Sequence, residues 1–169
     1  MRNLRMKRIL TMQVASLHIY PIKSFGGFSP TEAIAMKRGF EHDRRWMLVD
    51  QEGHFISQRA YPELAQFFAE VEGDNLIIRH HHKDDTLVIE EANNVEKPAI
   101  TVQVWQDTFH ARNLGKQVDE LVSDYLNFPC RLVYMGPQDI RRIKDDPSEN
   151  VSFADGYPYL ITNTASIQG

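Results

Sequence analysis

The chain has a single cysteine, Cys130, among 169 residues, which excludes an internal disulfide. A lone free thiol suits a reducing compartment, and a cytoplasmic location is the expectation. No apolar run approaches the roughly 18 residues that a bilayer-crossing helix needs, so no membrane span is expected. The start, Met1 to Arg8, is basic but lacks the apolar core and small-residue cleavage site of a secretory signal. Residues 1–11 read instead as a flexible tail. Basic excess is also missing: the net charge is −4, which argues against a nucleic-acid partner bound by blanket charge. Gly-x-Gly-x-x-Gly, Walker-type, His-Glu-x-x-His and Cys-x-x-Cys patterns are all absent, which removes the usual nucleotide and zinc readings.

What remains is a mainly β chain with 42% apolar residues, enough for a real core. Leu17 and Ile19 alternate with polar neighbours up to Pro21. Trp46–Val49 leads through Asp50–Gly53 into His54–Ser57, the pattern of a hairpin. Phe68–Glu72 and Leu76–Arg79 flank a Gly73-containing turn as a second hairpin, and Thr86–Ile89 is another strand. Ile100, Val102 and Val104 mark one face of a further strand, with Thr101, Gln103 and Trp105 on the other. Only one good helix interrupts them, from about Leu114 to Asn127. Its apolar stripe is Val118, Leu121, Val122, Tyr125 and Leu126, and Pro129 ends it before a strand at Cys130–Tyr134. Pro62–Gln66 suits a single helical turn.

Short strands at this spacing predict a small β-barrel-like domain over 12–135 with one packed helix, α+β at its margins. Residues 136–150 are almost all polar and read as a linker or long surface loop. Residues 151–169 read as the start of a second domain.

One constellation suggests chemistry. Tyr20-Pro21-Ile22-Lys23-Ser24-Phe25-Gly26-Gly27 supplies a cation, a hydroxyl and two glycines where an apolar strand runs out. Asp43-Arg44-Arg45-Trp46 brings guanidinium groups, which suit phosphate oxygens, about one hairpin later. The pair reads as an anion site; the alternative is a polar turn with a solvated lysine. Adjacent strand residues face opposite ways, so one arginine serves the site and the other is solvated or paired with a carboxylate. Arg59 either supports the barrel mouth or makes a surface ion pair.

His80, His81 and His82 are two same-face imidazoles and one opposed, short of the three or four ligands a zinc site needs, and read as a hairpin end. Cys130 reads as a small buried hydrophobe, and Trp46 and Trp105 as barrel core or edge.

The ordered series from Tyr20-Pro21-Ile22-Lys23-Ser24 through Gly39, Asp43-Arg44-Arg45-Trp46, Gly53, Arg59 and Pro62-Glu63-Leu64 resembles the N-terminal β-barrel domain of MOSC-domain proteins. Phe153-Ala154-Asp155-Gly156-Tyr157-Pro158 resembles the opening of the MOSC domain itself. The resemblance, to the amidoxime-reducing component family, implies a molybdenum-cofactor oxidoreductase that reduces N-hydroxylated compounds with electrons from an iron–sulfur or haem redox partner. Family association with pyridoxal phosphate comes with it. Carried over by motif, Lys23, Ser24 and Arg44 contact the phosphate of the pterin (molybdopterin), and Gly156 and Tyr157 lie near the cofactor. The family's molybdenum-ligating cysteine falls in a downstream MOSC domain beyond these residues, and Cys130 does not replace it. The resemblance therefore implies a cofactor-gripping half whose partner is that domain, with retention of cofactor not expected of this half alone. The alternative reading is a stand-alone, non-catalytic module that binds a phosphate, another anion or a protein.

Overall fold

A computed structural model of the protein describes residues 13–168, so the expected N-terminal tail lies outside the described residues. A two-residue hairpin, β1 (Ala35–Met36) and β2 (Gly39–Phe40), precedes β3 (Trp46–Val49). A single 3-10 turn at Pro62–Gln66 leads into β4 (Phe67–Glu72), β5 (Asn75–His80) and β6 (Thr86–Ile89), which form a three-stranded antiparallel sheet. Then come β7 (Ala99–Val104), β8 (Asp107–Asn113), helix α1 (Lys116–Leu126), β9 (Arg131–Tyr134) and a short helix α2 (Thr164–Gln168). The second sheet is antiparallel in the order β3-β9-β8-β7.

This second sheet curls until its two edges meet a common segment. Ile56 N–H donates to the Leu48 carbonyl on β3, and Phe55 N–H to the Gln103 carbonyl on β7. Residues 53–56 thus close a small barrel, which leaves those edges paired. Gly53 is needed there: its φ is +92°, and a Cβ would stand 2.5 Å from the Thr101 carbonyl oxygen. Met47, Val49, Val102, Val104, Ala111, Val133 and Met135 fill one core, and Phe153 from beyond the barrel strands joins them. A larger core on the other face of β3 holds Trp46, Leu48, Leu76, Ile78, Val122 and Leu132. Strand β3 is therefore buried on both sides, which its uniformly apolar sequence allows.

Three expectations need correction. The strand expected around Leu17–Tyr20 amounts to one bridge, Ile19 with Phe28. Its second arm is brought close by Gly27, where a Cβ would lie 1.9 Å from the Ile19 carbonyl oxygen. Strand β8 was not foreseen, because Ala111 is its only fully buried residue and its polar side chains hide the alternation. Leu121 is 46% exposed, so the buried stripe of α1 is Val122 and Leu126, with Val118 and Tyr125 partly buried beside them.

The 136–150 segment is a loop tied closely to the barrel. Asp139 and Arg141 are buried, and Ile143 packs with Val151 and Ala154. Cys130 sits in the larger core as expected of a structural thiol, and burial pushes its pKa up to about 11.

Candidate functional site at the barrel mouth

Lys23 lies in a seam between the two sheets. Ile22 bridges to Trp46 at the start of β3, and Gly26 bridges to Phe68 on β4, so the residues between them span the gap. Lys23 N–H donates to the Trp46 carbonyl at 2.9 Å, and a turn closes from Phe25 N–H to the Ile22 carbonyl at 3.2 Å. Ser24 takes the left-handed conformation within that turn, with φ +71°. The Gly26 N–H donates to the Phe67 carbonyl at 2.8 Å, so it serves the seam and not a ligand. Here the glycine reading from sequence is replaced by a packing role.

The Lys23 side chain is only 8% exposed, and its Nζ donates to Asp155 Oδ1 at 2.7 Å. The ammonium also stands over the Phe55 ring, 5.3 Å from its centre. Burial lowers the Lys23 pKa, Asp155 opposes that shift, and the charges of Arg141 and Arg44 reinforce it. Arg44 is tied to the same mouth by its backbone, whose N–H donates to the Tyr20 carbonyl at 2.8 Å and whose carbonyl accepts the Phe153 N–H at 2.9 Å.

Arg44 and Arg45 do diverge, but not by strand alternation. Arg44 sits before β3 with φ +48°, donates to Asp43 Oδ2 at 2.5 Å, and stacks 4.8 Å from the Tyr20 ring. Asp43 is buried and uses its other oxygen to accept the Tyr20 N–H at 2.9 Å. It thereby fixes the arginine to the extended segment that precedes Lys23. Arg45 is buried and its Nε donates to the Met135 carbonyl at 3.0 Å, so it is not solvated, and among the described residues it pairs with no carboxylate.

Sequence reasoning gave no site role to three residues that complete the mouth. Asp155 accepts from Lys23 and, at 3.1 Å, from Trp105 Nε1 on the same oxygen. Burial raises its pKa, but the bond and charge of Lys23 outweigh this and leave it below the usual carboxylate range. Trp105 occupies the β7–β8 turn with φ +55°, 42% exposed, and Arg59 stacks 5.0 Å from its ring. Arg59 thus belongs to the mouth. Arg141, 3% exposed, donates to the carbonyls of Ser152 (3.0 Å), Ala154 (2.5 Å) and Asp155 (3.3 Å) and to the Asp107 carboxylate (2.8 Å). It straps residues 152–155 across the barrel end. Beyond Asp155, Gly156 and Tyr157 line a cleft of about 520 Å³ with Trp105 and Arg141. Asp155 lines it too, whereas Lys23, Ser24 and Arg44 do not.

The tempting histidines are placed elsewhere: His80 packs edge-on against Phe67, and its Nδ1 accepts the His82 N–H. No helix among the described residues is long and apolar enough to cross a membrane.

A small barrel with a cationic seam at its mouth defines a class of β-barrel domain, and comparison with known proteins specifies it. The sequence pattern of the MOSC N-terminal beta barrel domain matches residues 11–129, and the chain belongs to that family. It is similar to mitochondrial amidoxime-reducing component 1 of Mus musculus, at 29% identity over 99% of this chain and 52% of the relative. Molybdenum cofactor sulfurase of Homo sapiens is 26% identical over 91% of this chain and 18% of its own length. The chain thus spans about half the length of the first relative. A solution structure from Bordetella bronchiseptica, 18% identical, superposes with a TM-score of 0.51 over 75% of this chain and 92% of that one, a likeness of fold.

Proposed function

We propose that this chain is the cofactor-gripping barrel of a MOSC-type oxidoreductase, with Lys23 and Arg44 holding the phosphate of the molybdenum cofactor's pterin. The observation that carries this reading is a buried ammonium paired with Asp155 on the same strap, residues 153–155, that is hydrogen-bonded to the Arg44 backbone, so both cations stand at one barrel mouth, a donor set suited to phosphate. Ser24 lies in the same turn, and Gly156 and Tyr157 line the adjoining cleft, so the residues present fit the phosphate end. They do not supply the metal end, since Cys130 is buried and its Sγ lies 3.9 Å from the Ser123 hydroxyl.

When bound, the cofactor supplies two-electron redox chemistry. The chain's own residues bind and orient its phosphate. The amidoxime-reducing and cofactor-sulfurase names of the relatives support this choice of ligand. Reduction of N-hydroxylated compounds then belongs to a protein that also includes a downstream MOSC domain, beginning near residue 151 and served by a redox partner.

The grip is tested at equilibrium, by titrating cofactor released from a carrier into the 169-residue protein and reading pterin fluorescence without a separation step. Lys23→Ala and Arg44→Ala are each expected to weaken pterin binding about tenfold, the size of one lost charge-assisted contact. Equal affinity in all three proteins, or no binding by any, contradicts the assignment. The second reading is a stand-alone, non-catalytic module that binds a phosphate, another anion or a protein, and it draws on the Lys23 ammonium already being paired with Asp155 within this chain. It predicts Lys23-dependent binding of phosphate without retention of the pterin.

A further inference from the structure

We propose that Asp155 determines the specificity of the Lys23–Arg44 site, acting as a tethered competitor that admits phosphate dianions and excludes single-charge anions. The inference rests on reading Lys23 and Arg44 as a phosphate site.

Its geometry is direct. The Lys23 side chain is 8% exposed and that of Asp155 78%, so the carboxylate stands between a buried ammonium and water. The bond is short, 2.7 Å, and Trp105 Nε1 fixes the same oxygen. The backbone beneath cannot easily drift, because Arg141 holds the carbonyls of Ser152, Ala154 and Asp155. Phe153, sunk in the barrel core, donates its N–H to the Arg44 carbonyl at 2.9 Å and anchors the segment to the second cation of the site.

A carboxylate attached to the chain faces Lys23 at high effective concentration. A free carboxylate offers the ammonium nothing that Asp155 does not already give. Exchange of one for the other therefore gains no contact and loses translational freedom. A phosphate dianion differs, because its extra charge and third oxygen engage Arg44 along with Lys23. Only such a ligand displaces Asp155 or binds beside it against its charge. The consequence is selectivity at the cost of affinity.

The test titrates the full 169-residue protein with inorganic phosphate and, separately, with acetate in low-salt buffer, followed by calorimetry. Asp155→Asn is expected to bind phosphate about tenfold more tightly, the size of one partly desolvated charge pair, and to gain acetate binding that the parent lacks. Asp155→Ser should behave alike, since the contact with Arg141 is made by the backbone carbonyl and survives either change. Unchanged or weaker phosphate binding in both variants, with Lys23→Met still abolishing it, overturns the specificity role alone. If Lys23→Met leaves phosphate binding intact, or no protein binds phosphate, the anion-site reading itself fails and this inference with it.

Discussion

Gly27 and Cys130 show how single residues separate packing from chemistry. Sequence suggested that the paired glycines expose backbone N–H groups to a ligand, yet Gly27 is required because Ile19 crosses it at backbone distance. Gly27→Ala puts a methyl group where a carbonyl oxygen already is, and the segment leading into Lys23 must move. The expected cost is about 2–4 kcal/mol, read from urea unfolding, as for an overpacked site with no side chain able to yield. A loss under about 0.5 kcal/mol would show that the Ile19–Phe28 crossing is loose. Cys130 makes the converse point. With its pKa pushed up to about 11 by burial, the thiol is protonated and enclosed near neutrality. Ellman's reagent at pH 8 should modify the native protein on the order of a hundredfold more slowly than the unfolded chain. Similar rates would place the thiol at the surface and revive it as a nucleophile.

Among elements, legibility followed how much of each pattern lay within one short stretch. The β4–β5 hairpin was readable because Gly73 marks a turn with φ +59° between two apolar runs. Helix α1 was readable from its stripe, and β3 from four consecutive apolar residues. Strand β8 was not, since it pairs through its backbone while showing mostly polar side chains. The candidate site divides the same way. Lys23 and Arg44 stand in compact motifs, but Asp155 meets Lys23 across 132 positions of chain. Arg141 looked like one charge among many in a polar run, and only the folded barrel gives it four oxygen partners.

That strap carries a prediction at the same scale. Arg141→Met leaves the Ser152 and Ala154 carbonyls unpaired and Asp107 without its cation, at a cost of about 2–4 kcal/mol. Amide exchange at Val151 and Phe153, which donate to the Arg141 and Arg44 carbonyls, should accelerate more than exchange in β3. Equal acceleration everywhere would mean that Arg141 supports the barrel generally and does not act as a strap.

For the whole molecule, the architecture puts the site where separate units meet. Residues 53–56 close the barrel, residues 22–26 cross from it to the three-stranded sheet, and residues 152–155 lie over the mouth. The segments that carry the ammonium and the strap are irregular, and they are pinned to the strands by backbone hydrogen bonds and by Arg141, which pre-forms the anion site. Past the strap the surface turns apolar, with Leu160 85% and Ile161 91% exposed. This is consistent with the proposal that the chain works against a further domain. The central claim, that the Lys23–Arg44 mouth binds phosphate, is tested most directly by an amide NMR titration of the 169-residue protein with inorganic phosphate. The predicted result is saturable shifts centred on Lys23–Phe25, Arg44 and Asp155–Tyr157 that vanish in Lys23→Met. Shifts centred elsewhere, or none at all, would contradict it.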